Sequence, residues 1–268
     1  MVGTGDRRRR RGFFMSGRTV DAIAIAVIPA RYASTRLPGK PLVDLRGRTM
    51  IERVYRRTSH AKSVTRTIVA TDDDRIRKVI EPIGDVVMTA AHHESGSDRI
   101  AEVVRDLDCD IVVNVQGDLP LLDPRMVDAL VEALRRDEGV GMATVAVAIR
   151  NTDELEDPAI VKVVCDRRGR ALYFSRAAIP HDRDQPGTVG GALYHVGLYA
   201  YRRETLLQFA ELRPTALERK EKLEQLRALE NGIGIAVVTC DGAPPLAVDT
   251  PRDLEAVKQA LDGFDPDA

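Results

Sequence analysis

Residues 22–42 read AIAIAVIPARYASTRLPGKPL, an apolar run followed at once by a loop of small residues, turn formers and cations. The apolar part, residues 22–28, has the length and the Val/Ile content of a buried strand. The loop carries Arg31, Arg36 and Lys40 among prolines, alanines and a glycine. Such a loop can bring backbone N–H groups and positive charge to an anion such as a triphosphate. We therefore expect a strand that ends in an anion-binding loop.

Apolar runs and amphipathic stretches continue to alternate along the chain. We predict further strands at residues 67–70, 85–89 and 110–115, and helices at residues 50–59, 74–81, 97–106 and 124–137. This alternation is typical of a mostly parallel sheet flanked by helices, and it predicts an α/β fold. Ligands of such sheets bind outside the carboxyl ends of the strands, so one crevice is expected beyond residues 28, 70 and 115.

The second half of the sequence has a different pattern. Strand-like pieces separated by turn residues occupy residues 143–149, 160–164, 170–174 and 195–201. We therefore predict a β-rich insertion at about residues 142–201 within a single domain of residues 21–268. Residues 217–230 are predicted as one helix with Glu218, Glu221, Glu224 and Gln225 on one face, opened by a capping box of Thr215 and Glu218. Residues 250–261 are predicted as a closing helix.

Composition limits the classes of function. The 268 residues carry 40 basic and 41 acidic side chains, and a net charge of -1 argues against a general nucleic-acid or membrane binder. The longest apolar run is far shorter than the roughly 20 residues of a membrane-spanning helix. Three widely spaced cysteines fit no metal or redox motif, so we expect reduced thiols and a cytoplasmic protein. Residues 1–20, with five consecutive arginines, are expected to form a disordered tail, and Met15 is an alternative start.

Two aspartates follow apolar segments, Asp118 beyond the predicted strand of residues 110–115 and Asp249 beyond an apolar turn. Asp118 comes after Gln116-Gly117, and Asp249 comes after Ala247-Val248. Mg²⁺ bound with a nucleotide triphosphate takes a few carboxylate oxygens together with phosphate and water oxygens. An aspartate in either place could equally be a helix cap or a turn former. The residues alone leave both interpretations open.

The loop PARYASTRLPGKPL, at residues 29–42, closely resembles the signature loop of the CMP-KDO synthetases, the 3-deoxy-manno-octulosonate cytidylyltransferases. Further segments similar to that family follow in the same order. They are Val69-Ala70-Thr71-Asp72, Ser95-Gly96-Ser97-Asp98-Arg99, Val113-Asn114-Val115-Gln116-Gly117-Asp118, Leu172-Tyr173-Phe174-Ser175-Arg176, Leu223-Glu224-Gln225-Leu226-Arg227 and Val248-Asp249-Thr250-Pro251. Because these segments span nearly the whole chain beyond the tail, the resemblance is specific.

The resemblance implies a Rossmann-like nucleotidyltransferase fold, a homodimer and the Mg²⁺-dependent transfer of CMP from CTP to KDO. It implies catalytic roles for Arg31, Lys40, Asp118 and Asp249, with the two aspartates as metal ligands. The CTP-binding residues that it implies are Ala30, Arg31, Arg36, Lys40, Thr71, Ser95, Asp98 and Gln116. The sugar-binding residues that it implies are Gln116, Arg176, His195 and Glu224. For Ser95 and Asp98, helix capping is the other interpretation, and for His195 it is a packed, hydrogen-bonded core histidine.

The sequence departs from the family at Leu119, where a glutamate is usual, and at His181, where a tryptophan is common. If that glutamate supports the metal or the acceptor, its loss would reduce activity or change the acceptor. Three alternatives therefore stay open. They are CMP transfer to another anionic acceptor, such as amino-KDO, another ulosonic acid or a phosphonate; a catalytically weakened nucleotide-binding protein; and a nucleic-acid binder that uses its arginine-rich tail.

Overall fold

A computed structural model describes residues 22–33, 37–93 and 95–263. The expected tail, Met15 and Arg36 lie outside the described residues. The strands are β1 Ala24–Ala30, β2 Arg66–Thr71, β3 Asp85–Met88, β4 Ile111–Asn114, β5 Met142–Ala148, β6 Lys162–Cys165, β7 Ala171–Ser175, β8 Leu193–Arg202 and β9 Ile235–Thr239. The helices are α1 Met50–Ser59, α2 Asp74–Ile80, α3 Gly96–Val104, α4 Pro124–Arg136, α5 Thr152–Glu156, α6 Arg203–Glu211, α7 Ala216–Glu221, α8 Gln225–Glu230 and α9 Pro251–Gly263.

The central sheet has the strand order β3-β2-β1-β4-β8-β5-β9. All neighbouring strands in this order run parallel except β8, which is antiparallel to both β4 and β5. The hairpin of β6 and β7 lies off this path and joins the sheet through pairing of β6 with β8. The predicted α/β fold with a mostly parallel sheet is confirmed. Within the segment predicted as an insertion, β5 and β8 belong to the central sheet.

The sheet is buried on both faces, which explains why its strands read as continuous apolar runs. Along β1, Ala24, Ala26 and Ile28 pack into one hydrophobic cluster, while Ile25 and Val27 pack into the other. Helices α1, α2 and α4 contribute to the first cluster, and α3, α6 and α8 contribute to the second. Successive residues of β1 pack into opposite clusters because side chains alternate between the two faces of a strand. Within the described part of the chain, no helix has the length and hydrophobicity needed to cross a membrane.

The prediction of a single helix over residues 217–230 is wrong. The chain forms two short helices there, α7 and α8, because Lys222 takes a left-handed conformation with φ 57° and ends α7. The break lets two carboxylates reach different elements. Glu221 accepts a hydrogen bond from Ser175 Oγ on β7 at 2.7 Å, and Glu224 accepts one from Ser97 Oγ on α3 at 3.1 Å. The acidic residues of this segment therefore do not share one solvent-facing side.

Candidate active site

A pocket of about 390 Å³ lies beyond the carboxyl ends of β1 and β4. These two strands are adjacent and parallel, so the segments that follow them meet at the same edge of the sheet. The pocket is lined by six residues that the sequence singled out, Ala30, Arg31, Lys40, Gln116, Asp118 and Asp249. The crevice predicted from the strand ends is therefore present beyond β1 and β4, whereas the end of β2 does not line it.

Lys40 occupies the centre of this pocket. Its ammonium donates hydrogen bonds to Asp118 Oδ2 at 2.8 Å and to Asp249 Oδ1 at 2.9 Å. Gly39, with φ 71°, turns the chain through the left-handed region and directs Lys40 inward. Burial of the ammonium opposes its charge, but the negative charges and hydrogen bonds of Asp118 and Asp249 outweigh this and raise the pKa of Lys40. The lysine therefore stays positively charged.

The aspartates fit a magnesium ion that arrives with a nucleotide. Because one ammonium bridges Asp118 and Asp249, both carboxylates reach a common point. A backbone hydrogen bond from the Val248 N–H to the Asp118 carbonyl, at 3.0 Å, ties their two segments together. Among the described residues, no group of three or more histidines, cysteines and acidic residues could hold a metal. Two carboxylates are nevertheless sufficient for Mg²⁺, since phosphates and water supply the remaining oxygens.

Arg31 borders the same pocket from the end of β1. Its guanidinium donates hydrogen bonds to the backbone carbonyls of His93 and Ser95, the latter at 3.2 Å. Ser95 in turn caps α3, because the Asp98 N–H donates to Ser95 Oγ at 3.0 Å and the Ser95 N–H donates to Asp98 Oδ2 at 3.1 Å. Capping thus accounts for the side chains of Ser95 and Asp98 in this structure. Their contact with CTP stays a prediction.

Thr71 ends β2 directly beside Ala30 of β1. Its side chain is buried, and its hydroxyl accepts a hydrogen bond from the Asp73 N–H at 3.2 Å. The next residue, Asp72, accepts a hydrogen bond from the fully buried Arg99 at 3.0 Å. Thr71 is therefore fully buried and does not line the pocket, and its contact with CTP stays a prediction.

Three of the four predicted sugar contacts, Arg176, His195 and Glu224, lie away from the pocket lining. The guanidinium of Arg176 donates to the carbonyls of Glu221 at 2.8 Å and Pro158 at 2.9 Å. His195 is buried and hydrogen-bonded to Thr144 Oγ1 at 2.9 Å, with its ring edge-on to Phe174. Burial lowers the pKa of His195 to about 3, so the imidazole is neutral. Both Arg176 and His195 are held by the fold in this structure.

Glu224 is half-buried, with 36% of its side chain exposed, and its Oε1 lies 3.8 Å from the Arg227 guanidinium. Desolvation raises the pKa of Glu224, and its Oε1 has no hydrogen-bond partner within the described part of the chain. The neighbouring Gln225 is buried, and its Nε2 has no partner there either. Buried polar groups are normally hydrogen-bonded, so this pair has capacity for a polar ligand. Gln225 was not among the predicted site residues, although its place next to Glu224 was a signal.

A chain of polar groups leads from the pocket toward Glu224. Gln116 Nε2 donates to Asn114 Oδ1 at 3.4 Å, and the buried Tyr201 hydroxyl interacts with both Asn114 and Ser97. Ser97 donates to Glu224. The pocket and the Glu224 carboxylate are thus linked through side chains of β4, β8 and α3.

Leu119 follows Asp118 but does not line the pocket. Its side chain is 3% exposed and belongs to the hydrophobic cluster that also contains Leu122 and Met126. The position that carries a glutamate in the similar family is therefore a core position in this chain. Leu119 takes no part in the hydrogen bonds that Asp118 and Asp249 accept from Lys40.

Comparison with known proteins agrees with this geometry. The cytidylyltransferase family profile matches residues 25–235. The chain is 52% identical over 248 residues to the 3-deoxy-manno-octulosonate cytidylyltransferase of Syntrophotalea carbinolica, covering 89% of this chain and 98% of that protein. It is 48% identical over 249 residues to the enzyme of the same name from Geobacter metallireducens, covering 89% and 98%.

Solved structures give the same result. A structure of CMP:2-keto-3-deoxy-manno-octonic acid synthetase complexed with CTP has a TM-score of 0.85 and 42% identity, covering 90% of this chain and 99% of that one. The 4-diphosphocytidyl-2C-methyl-D-erythritol synthase of Anaerococcus prevotii has a TM-score of 0.61 over 90% of this chain and 97% of that one, and at 14% identity it shows the fold alone.

Proposed function

This chain belongs to the family of 3-deoxy-manno-octulosonate cytidylyltransferases, and we propose that it transfers CMP from CTP to the anomeric hydroxyl of KDO and releases pyrophosphate. The observation that carries the proposal is the convergence of Lys40, Asp118 and Asp249 in one pocket at the carboxyl edge of the sheet. A cation between two carboxylates, next to Arg31, suits a site that binds a triphosphate together with a metal ion.

The reaction is an in-line displacement at the α-phosphorus of CTP. The anomeric oxygen forms the new P–O bond and loses its proton, while the bond from the α-phosphorus to the bridging oxygen of the pyrophosphate breaks. Lys40 and Arg31 place positive charge next to the departing pyrophosphate, and Lys40 keeps its proton because its pKa is raised. Asp118 and Asp249 would hold Mg²⁺, which supplies neutralisation of phosphate charge when bound.

The binding of CTP is assigned to the strand ends around the pocket. Ala30 and Gln116 line the pocket, and Thr71 ends the strand next to Ala30. Ser95 and Asp98 shape the beginning of α3, whose Gly96 also lines the pocket. Arg36 belongs to the same loop by sequence and stays a prediction.

The binding of KDO is assigned to the polar chain that runs from Gln116 to Glu224. Glu224 Oε1 and Gln225 Nε2, which make no hydrogen bond within the described residues, can accept from and donate to sugar hydroxyls. Arg176 is proposed for the carboxylate of the sugar and His195 for a hydroxyl, although both have protein partners in this structure. The homodimer that the family resemblance implies and the cytoplasmic location that the cysteine pattern predicts are part of this proposal.

The test is pyrophosphate release with CTP and Mg²⁺ over a panel of KDO, 8-amino-KDO, a sialic acid and a small phosphonate. We expect turnover with KDO, and a higher kcat/KM for it than for the other acceptors. A higher kcat/KM with another acceptor would reassign the substrate. Binding of CTP without turnover on any acceptor would favour the nucleotide-binding protein over the enzyme.

A further inference from the structure

The position of Arg31 depends on the backbone of another segment. The described hydrogen bonds of its guanidinium go to the carbonyl oxygens of His93 and Ser95, in the turn that precedes α3. Carbonyl acceptors fix the direction of an arginine but leave its positive charge unpaired, so the charge remains available to an anion. Any contact that holds this turn in place therefore also sets the position of the Arg31 guanidinium at the pocket.

Glu102, one of the residues of α3, holds the other side of this turn. Its two carboxylate oxygens accept hydrogen bonds from the Ala90 N–H at 3.2 and 3.3 Å. The same carboxylate contacts Nε2 of the His93 imidazole. One side chain thus fastens residues 90 and 93, while the Ser95–Asp98 cap fastens the end that enters α3.

Neither Glu102 nor His93 lines the pocket that contains Lys40. They border a second cavity of about 730 Å³, whose lining also includes Leu207 and Ala210 of α6. His93 is mostly buried, with 13% of its side chain exposed, whereas Glu102 is 38% exposed. The hydrogen bond from His93 lowers the pKa of Glu102, so this carboxylate is ionised and acts as an acceptor. Through their contacts with the turn, these two residues can influence the nucleotide.

We propose that Glu102 and His93 are positioning residues for CTP, which hold the turn whose carbonyls direct Arg31 toward the triphosphate. The proposal rests on the proposed function only in that Arg31 binds the phosphates of CTP. If Glu102 and His93 formed only an ion pair without this connection, the pair would contribute little to CTP binding. The effect of removing it would then not depend on Arg31.

A double-mutant cycle separates these cases, because interacting residues give non-additive effects. The dissociation constant of CTP is measured by calorimetry with Mg²⁺ and without acceptor for the wild type, Arg31→Ala, Glu102→Ala and the double variant. We expect Glu102→Ala to weaken CTP binding by about 3- to 10-fold in the wild type and by less than about 2-fold in the Arg31→Ala background. His93→Ala should reproduce the effect of Glu102→Ala, which covers the case that the latter folds poorly.

The matched control is Glu132→Ala, which removes a carboxylate from the surface pair of Glu132 and Arg136 on α4 and should leave CTP binding unchanged. Equal losses from Glu102→Ala in both backgrounds, or no loss in either, would overturn the proposal. So would an Arg31→Ala variant that binds CTP as tightly as the wild type. Because the cycle uses no acceptor, a missing KDO turnover would count against the proposed function without affecting this result.

Discussion

Asp118 and Asp249 reach the same point of the pocket, since each accepts a hydrogen bond from the one ammonium of Lys40, at 2.8 and 2.9 Å. Two carboxylates this close repel each other unless a cation lies between them. Lys40 supplies that cation within the chain. A divalent ion held by both aspartates must therefore compete with the lysine, and the lysine becomes available to phosphate oxygens when it gives up the carboxylates.

Replacement of Lys40 by methionine should strengthen metal binding while it weakens catalysis. In the absence of CTP we expect Lys40→Met to bind Mn²⁺ about 10-fold more tightly than the wild type, because a competing charge-assisted contact is removed. Titration followed by electron paramagnetic resonance measures this affinity. Lys258→Met, which breaks a pair with Glu255 on α9, is the control and should bind Mn²⁺ as the wild type does. Unchanged Mn²⁺ affinity in Lys40→Met would show that Lys40 does not compete for the aspartates.

Two glycines with left-handed backbone allow strain and site geometry to be tested separately. Gly39 has φ 71°, and an added Cβ would lie 3.1 Å from the Tyr32 hydroxyl, whereas Gly47 has φ 84° and open space around it. Both alanine variants should lose about 1–2 kcal/mol in the free energy of unfolding. Only Gly39→Ala should also lower kcat, because it displaces the loop next to Lys40. Denaturant titration measures the free energy of unfolding, and pyrophosphate release measures kcat. An equal loss of kcat in Gly47→Ala would show that Gly39 has no special role in the site.

The burial of Leu119 predicts the result of restoring the glutamate. Leu119→Glu places an ionisable group among the apolar side chains of the core, and we expect a loss of about 2–4 kcal/mol in the free energy of unfolding without a gain in kcat. Leu119→Met is the volume-matched control and should cost less than about 1.5 kcal/mol. A faster Leu119→Glu enzyme of unchanged stability would place this position in the active site.

His195 should contribute to acid sensitivity. Its pKa in the folded protein is lowered to about 3, so at pH values between there and the ordinary value of 6.5 the unfolded chain binds a proton that the folded chain does not. Stability is therefore lost as the pH falls below 6.5, by up to about 1.4 kcal/mol per pH unit for this group. His195→Gln should show a smaller slope of unfolding free energy between pH 6.5 and 5. His60→Gln, at an exposed histidine, should keep the slope of the wild type, and equal slopes in all three proteins would contradict the burial argument.

The fold and the centre of the site could be predicted from the sequence because both depend on strand order. Once residues 22–28 and 110–115 are taken as parallel strands, their carboxyl ends bring Arg31 and Asp118 to one edge of the sheet. The structure has β1 and β4 adjacent, and both residues line the pocket. Asp249 follows a short apolar turn, and for both aspartates only the family resemblance favoured a metal ligand over a helix cap or turn former.

Features that are set by tertiary contacts could not be predicted from the sequence. The polar pattern of residues 217–230 continues through Lys222, and nothing local announces its left-handed conformation. The two carbonyls that hold the Arg176 guanidinium, those of Glu221 and Pro158, come from segments distant in sequence. The unpaired Gln225 Nε2 and the burial of Leu119 also arise from packing between distant segments. The periodicity of a segment indicates its secondary structure, whereas these properties depend on the other segments that it contacts.

The assignment of Asp118 and Asp249 as metal ligands is tested by the rate of pyrophosphate release from CTP and KDO at saturating Mg²⁺ by the Asp118→Asn enzyme. We expect a kcat lower by about 10³-fold or more, because an amide is a poor ligand for a hard cation, with CTP binding weakened by less than about 10-fold. Asp262→Asn, at an exposed position on α9, is the control and should retain the rate of the wild type. An Asp118→Asn enzyme that releases pyrophosphate at the rate of the wild type would contradict the assignment of the two aspartates.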